Sequence, residues 1–292
     1  MTDSSPKPKD RAAADPVATW DGRAEAYLEL VARHGLFAAM ADGLVARARE
    51  RGAQRVLDLG AGGGLVCERF VAAGGAPDGL CAAEPAPRLR AHLVATLVRL
   101  GGRASAVLDA RAEDLGAHFG PEPARAPVEA VLANACLHLF ERERALAGIA
   151  EALAPGGVLV ASLWWHALHD DEARHAPQAH WRAALARALA EHDEAPALAR
   201  EPRDLVAPPP TLERWRTDAA RHGLVLVGAE RRDASVPGAF FLDFASLAAD
   251  FLAEVEPTRR RAVLARAGEL VAPCTLGWRE LVFERRSARS AP

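Results

Sequence analysis

The sequence predicts an α/β protein built on a doubly wound, mostly parallel sheet. Three observations predict it. Short apolar runs alternate with amphipathic helical stretches between residues 55 and 164. A glycine-rich loop, Asp58-Leu59-Gly60-Ala61-Gly62-Gly63-Gly64, joins the first run to the next helical stretch. Half of the 292 residues are hydrophobic, enough for a sizeable core. Strands alternating with helices at this spacing imply βαβ units, and right-handed crossovers put helices on both faces.

The elements follow in order. Residues 1–16 are polar and proline-containing and read as a disordered leader. Residues 17–50 carry apolar residues at helical spacing (Tyr27, Leu30, Val31, then Phe37, Met40, Leu44), with Gly35 dividing them into two helices of an N-terminal cap. Residues 51–292 form the main domain. Its predicted strands are 55–59, 79–83, 104–108, 128–133 and 158–164, separated by helices at 65–73, 88–100, near 114–119, and at 141–153, where Pro155-Gly156-Gly157 stops the chain. The alternation lapses over 165–210, which is long for a connection and reads as a helical lid insertion. Thr211 is the expected N-cap of a helix ending at Gly223. Strands at 223–232 and 274–286 flank a second, helical insertion at 236–270.

Composition narrows the function. A formal charge of −3 and no basic stripe argue against nucleic acid and an anionic membrane surface as partners. Cys67, Cys81, Cys136 and Cys274 form no Cys-x-x-Cys pair and sit in apolar contexts, which suits buried free thiols. No secretory signal or membrane span is apparent, so a cytoplasmic protein is expected, and no metal site.

The loop carries the strongest signal. Glycines between a strand and a helix let a ligand approach the backbone closely, beside free helix N–H groups. The dinucleotide fingerprint Gly-x-Gly-x-x-Gly fails, because Leu65 or Cys67 stands where its last small residue belongs. Asp-x-Gly-x-Gly-x-Gly fits at Asp58, Gly60, Gly62 and Gly64. Glu84 directly follows the second strand, where its carboxylate can accept both hydroxyls of a ribose.

This loop resembles motif I of the class I S-adenosylmethionine (SAM)-dependent methyltransferases, of the type acting on small molecules. The likeness covers about residues 55–164 well and the last two strands more loosely. It implies a Rossmann-like seven-stranded sheet with an antiparallel last strand, and SAM as cofactor. It implies cofactor contacts by Asp58, Gly60, Gly62, Gly64, Glu84 and Pro85. After the third strand, an acidic residue would meet the adenine amino group beside a backbone N–H. Ala112, Glu113 and Asp114 lie there, and Asp109, Glu113 and Asp114 stay open for the acidic role. Ala133-Asn134 resembles the motif IV region and puts Asn134 below the methionine part of SAM; the usual Asp early in that strand is Glu129 here. Trp20–Tyr27 resembles an N-terminal helix that folds over SAM, with Tyr27 capping its carboxylate.

The acceptor side falls to the variable segments. Trp164, Trp165, Trp181 and Trp215 suit an apolar or aromatic acceptor, with His169 beside them. His166, after the fifth strand, is the first choice as general base and His138 the second. The reading is O- or N-methylation of a small molecule, in specialised metabolism, by an enzyme for which a homodimer is compatible. A SAM-fold enzyme of other chemistry and a non-catalytic methyltransferase-like subunit are the alternatives.

Overall fold

The computed structural model describes residues 15–119, 125–164, 176–192, 210–247 and 255–287. Seven strands form one sheet in the order β3-β2-β1-β4-β5-β7-β6. They are β1 (Val56–Leu59), β2 (Leu80–Ala83), β3 (Val107–Leu108), β4 (Val128–Asn134), β5 (Leu153–Trp164), β6 (Leu224–Val236) and β7 (Cys274–Arg285). The first five are parallel, and β7 runs antiparallel between β5 and β6. Because β1 sits between β2 and β4, the chain winds outward in both directions from it, and a crevice opens at the carboxyl ends of β1 and β4.

The strands read as apolar runs because both faces are covered. Along each one, alternate residues enter different cores. Leu57, Val131, Leu159 and Phe283 face one, while Val56, Ala130, Val158 and Val282 face the other. The helices are α1 (Pro16–Gly22), α2 (Ala24–Arg33), α3 (Leu36–Glu50), α4 (Leu65–Ala72), α5 (Pro87–Arg99), α6 (Arg142–Ala152), α7 (Ala176–Glu191), α8 (Leu212–Arg221), α9 (Gly238–Leu247) and α10 (Pro257–Leu270). Buried side chains of α3, α4 and α5 fill the second core, and α6 and α8 pack on the first.

Several boundaries differ from expectation, each for a local reason. The N-terminal cap has three helices. Asp15, assigned to the leader, caps α1 by accepting from Val17 N–H, and Pro16 is that helix's first residue. The third strand is two residues long, because 104–106 form a 3₁₀ turn. The helical stretch after it is a 3₁₀ segment over 112–117. α6 ends at Ala152, before Pro155-Gly156-Gly157. The prolyl-glycyl segment is a bulge inside β5, between the pairings Val128–Leu153 and Ala130–Val158. β6 extends to Val236 because β7 pairs with it along its length. Thr211 caps α8 as expected, its hydroxyl accepting from Arg214 N–H at 3.1 Å.

Side chains from the two insertions share a small core of their own: Leu185 and Leu189 of α7 meet Val263, Leu264 and Ala267 of α10. α9 turns back to the N-terminal cap. Its Asp243 accepts from Arg33 at 2.9 Å and lies 2.8 Å from His34 Nε2. Between α6 and α8, Asp218 is fully buried and takes Arg142, Arg214 and Arg221 at 2.7, 2.8 and 3.0 Å. Among the described residues no helix is long and apolar enough to cross a membrane.

Candidate functional site

The glycines after β1 have the backbone that the sequence demanded. Gly60, Gly62 and Gly64 have φ of 63°, 54° and 95°, in the left-handed region where a side chain is strained. Each is also crowded. A Cβ at Gly60 would stand 2.9 Å from Cys136 Sγ, and one at Gly62 2.9 Å from Tyr27 Cε1. At Gly64 the nearest atom would be Thr96 Cγ2 of α5, also at 2.9 Å, so this glycine serves helix packing at the start of α4.

Glu84, at the end of β2, is buried, and its carboxylate spans the loop. Oε2 accepts from Gly62 N–H at 2.8 Å and Oε1 from Ala86 N–H at 2.9 Å. Burial raises its pKa, against the pull of those two N–H groups and of Arg90. A carboxylate can take about four hydrogen bonds, so each oxygen keeps a lone pair for a ligand.

Loop and acid open on a cavity of about 250 Å³ over the carboxyl ends of the strands. Of the cofactor residues expected from sequence, Tyr27, Gly60, Gly62, Glu84, Pro85, Glu113 and Asn134 line it. Of the three acidic residues after β3, Glu113 is the one that lines the cavity. Its Oε1 accepts from Glu141 N–H at 2.7 Å, and its Oε2 is buried without a hydrogen-bond partner. Asp109 points outward to Arg90 at 2.9 Å, and exposed Asp114 lies 3.8 Å from Arg144.

Four expected contacts do not line the cavity: Asp58, Gly64, Ala112 and Asp114. Asp58 lies buried beneath the loop, its Oδ2 accepting from Cys67 Sγ at 3.4 Å. Burial pushes its carboxyl up to about 7, with the Cys67 hydrogen bonds opposing and the Glu84 charge adding. Ala112 is fully buried, its carbonyl against Gly148 of α6.

Six aromatic residues line the cavity: Trp20, Tyr27, Phe37, Phe140, Trp164 and Phe244. Several meet edge to face. Tyr27 and Phe37 have centroids 6.1 Å apart, Phe37 and Trp164 5.5 Å, and Trp164 and Phe244 6.4 Å. Burial, with the nearby Cys136, Glu84 and Asp58, raises the Tyr27 pKa, so its hydroxyl stays protonated. His138 is in the wall, on the 3₁₀ turn after β4. Trp165, His166 and His169 lie outside the described residues. Trp215 does not line the cavity: it is a buried residue of α8, with Arg142 5.6 Å over its ring. Where the side chains of α7 are described, none lines the cavity, and Phe37 of α3, Trp164 of β5 and Phe244 of α9 form an aromatic part of its wall. Sequence reasoning missed Phe37 and Phe244. The signal available was the pair Phe240 and Phe244 at one-turn spacing in the second insertion.

The donor set fits a nucleoside with a hydrogen-bonding base. Glu84 can accept from a diol, the partnerless Glu113 oxygen can accept from an exocyclic amino group, and Gly60 and Gly62 line the same cavity without side chains.

No protein-family model matches the chain, and no curated protein matches it in sequence. Solved structures do. A protein solved in a study of the conversion of a disulfide bond into a thioacetal group during echinomycin biosynthesis is similar at 16% identity and TM-score 0.50, over 84% of this chain and 82% of that one. The YcgJ protein of Bacillus subtilis is similar at 15% identity and TM-score 0.49, over 85% and 99%. A cyclopropane synthase of Mycobacterium tuberculosis is similar at 19% identity and TM-score 0.46, over 85% and 83%. With the strand order and the antiparallel β7, the first of these likenesses gives the chain the Rossmann-like fold expected from its motifs.

Proposed function

We propose that the protein is a SAM-dependent methyltransferase acting on a small, apolar or aromatic acceptor at oxygen or nitrogen. One observation carries this reading. The glycine loop and Glu84 are joined by a 2.8 Å hydrogen bond at the rim of the cavity that also holds Glu113 and the aromatic wall. SAM would supply an electrophilic methyl group on a sulfonium, whose leaving group is a neutral thioether.

The chain's own residues then have limited work. Glu84 accepts the ribose hydroxyls, Glu113 the adenine amino group, and the loop keeps Gly60 and Gly62 free of side chains. Tyr27, on α2, covers the loop and excludes water. Phe37, Trp164 and Phe244 seat the acceptor by its apolar body, and alignment for in-line transfer supplies most of the acceleration. Where the acceptor must lose a proton, His138 is the described residue in the wall that can take it. His166 keeps its claim from sequence position, with Trp165 and His169 as acceptor contacts. Cys67, Cys81 and Cys136 are buried free thiols, which suits a reducing compartment, and we place the enzyme in the cytoplasm, in specialised metabolism.

Isothermal titration with SAM and S-adenosylhomocysteine tests the reading. Saturable micromolar binding of both is expected. No binding of either by the folded protein would overturn it.

A further inference from the structure

Asn134, Ser162 and Glu280 are register partners on β4, β5 and β7, and so form a polar row across three strands whose other inward residues are mainly apolar. Ser162 and Glu280 are buried. α3 lies over the row: Gly43 packs directly on the Glu280 carboxylate, and Phe37 carbonyl meets Asn134.

Hydrogen-bond logic fixes each group around Ser162. The Ala135 N–H can only donate, so Ser162 Oγ accepts from it, at 2.9 Å. The hydroxyl proton then goes to Asn134 Oδ1, also at 2.9 Å. That turns the Asn134 Nδ2 toward the Phe37 carbonyl, at 3.2 Å. Ala135 is the one non-glycine residue with positive φ among the described residues, at 56°. Such a conformation is costly for alanine and persists where its surroundings hold it. Phe37, Asn134 and Ala135 all line the cavity; Ser162 does not.

We propose that Ser162 is a positioning residue of the ligand cavity. It holds Ala135 left-handed and orients Asn134, and through them keeps the end of β4 and the start of α3 in the cavity wall. The inference rests on the cavity being the SAM site only for the ligand used to read it. The hydroxyl acts without touching the ligand, so its loss shows in the geometry of Ala135 as well as in affinity.

The test compares Ser162→Thr with Ser162→Val, which share a shape and differ in the hydroxyl. In ligand-free protein, amide exchange of Ala135 should stay slow in Ser162→Thr and accelerate at least tenfold in Ser162→Val. Affinity for S-adenosylhomocysteine should be near wild type in the first and roughly tenfold weaker in the second. Ala135→Gly, which removes the backbone cost, should shrink the Ser162→Val loss to roughly threefold, and it gives a background that tolerates the change should Ser162→Val alone not fold. Equal exchange and equal affinity in the two variants would overturn the proposal. So would a lower melting temperature in Ser162→Val with affinity unchanged, which is a structural role alone. If wild type binds no S-adenosylhomocysteine, the methyltransferase reading falls, and the exchange comparison still decides the role of Ser162.

Discussion

Tyr27 lies across Gly62, so close that a Cβ on the glycine would stand 2.9 Å from the tyrosine ring. The N-terminal cap is therefore seated on the loop itself. Gly62 is constrained twice, by its φ of 54° and by its neighbour.

Gly62→Val should abolish binding of S-adenosylhomocysteine, with at least a hundredfold loss of affinity by calorimetry. The branched side chain is strained at that φ and drives into Tyr27. Far-UV circular dichroism should show a folded protein. Wild-type affinity in this variant would move the site away from the loop.

Glu84→Ala removes a buried acceptor of two backbone N–H groups and, in the proposed complex, the acceptor of the ribose hydroxyls. Hydrogen bonds to charged groups contribute about 1.5–3 kcal/mol. Affinity should fall roughly tenfold to a hundredfold. Glu113→Ala should fall less, and its loss should disappear with the inosine analogue of the ligand, which lacks the amino group. Equal losses with both ligands would remove Glu113 from the base contact.

Asp58 predicts a pH dependence of stability. Its folded carboxyl, at about 7, lies above the usual aspartate value of 3.8. The folded state therefore holds a proton that the unfolded state has released between these values, and stability from this group falls as pH rises through that window. Asp58→Asn should flatten the slope of melting temperature between pH 4 and 7. An unchanged slope would mean that Asp58 titrates as an ordinary carboxyl.

Asp218→Ala should lower stability by about 2–3 kcal/mol, because it strands three arginines that retain part of their contact with water. Urea unfolding measures it, and ligand affinity should not move. A loss under about 0.5 kcal/mol would show the cluster to be a surface pairing.

The alternation of strands and helices was legible because each strand is buried on both faces, and the loop because its glycines are required by backbone geometry. Glu84 followed from both. Glu113 was not separable from Asp109 and Asp114: a 3₁₀ turn decides between Glu113 and Asp114, and a pairing with Arg90 holds Asp109 outward. The length of β5 was hidden by Pro155-Gly156-Gly157, which reads as a stop and is a bulge. The aromatic wall was legible only in part, through Tyr27 and Trp164. Phe37 and Phe244 come together through the packing of α2 and α3 against α9, and local periodicity carries no information about contacts across such a separation.

The place of β7 between β5 and β6 has a consequence for biosynthesis. β6 emerges from the ribosome with no neighbour of its own, since the strand that joins it to the sheet is made last of the seven. Until then β5 also presents a bare edge, beside the bordering Trp164. A nascent chain in that interval carries two unpaired strand edges, the condition under which partly made sheets aggregate. Release from this hazard comes in one event, when Cys274–Arg285 threads antiparallel into the gap and pairs with both.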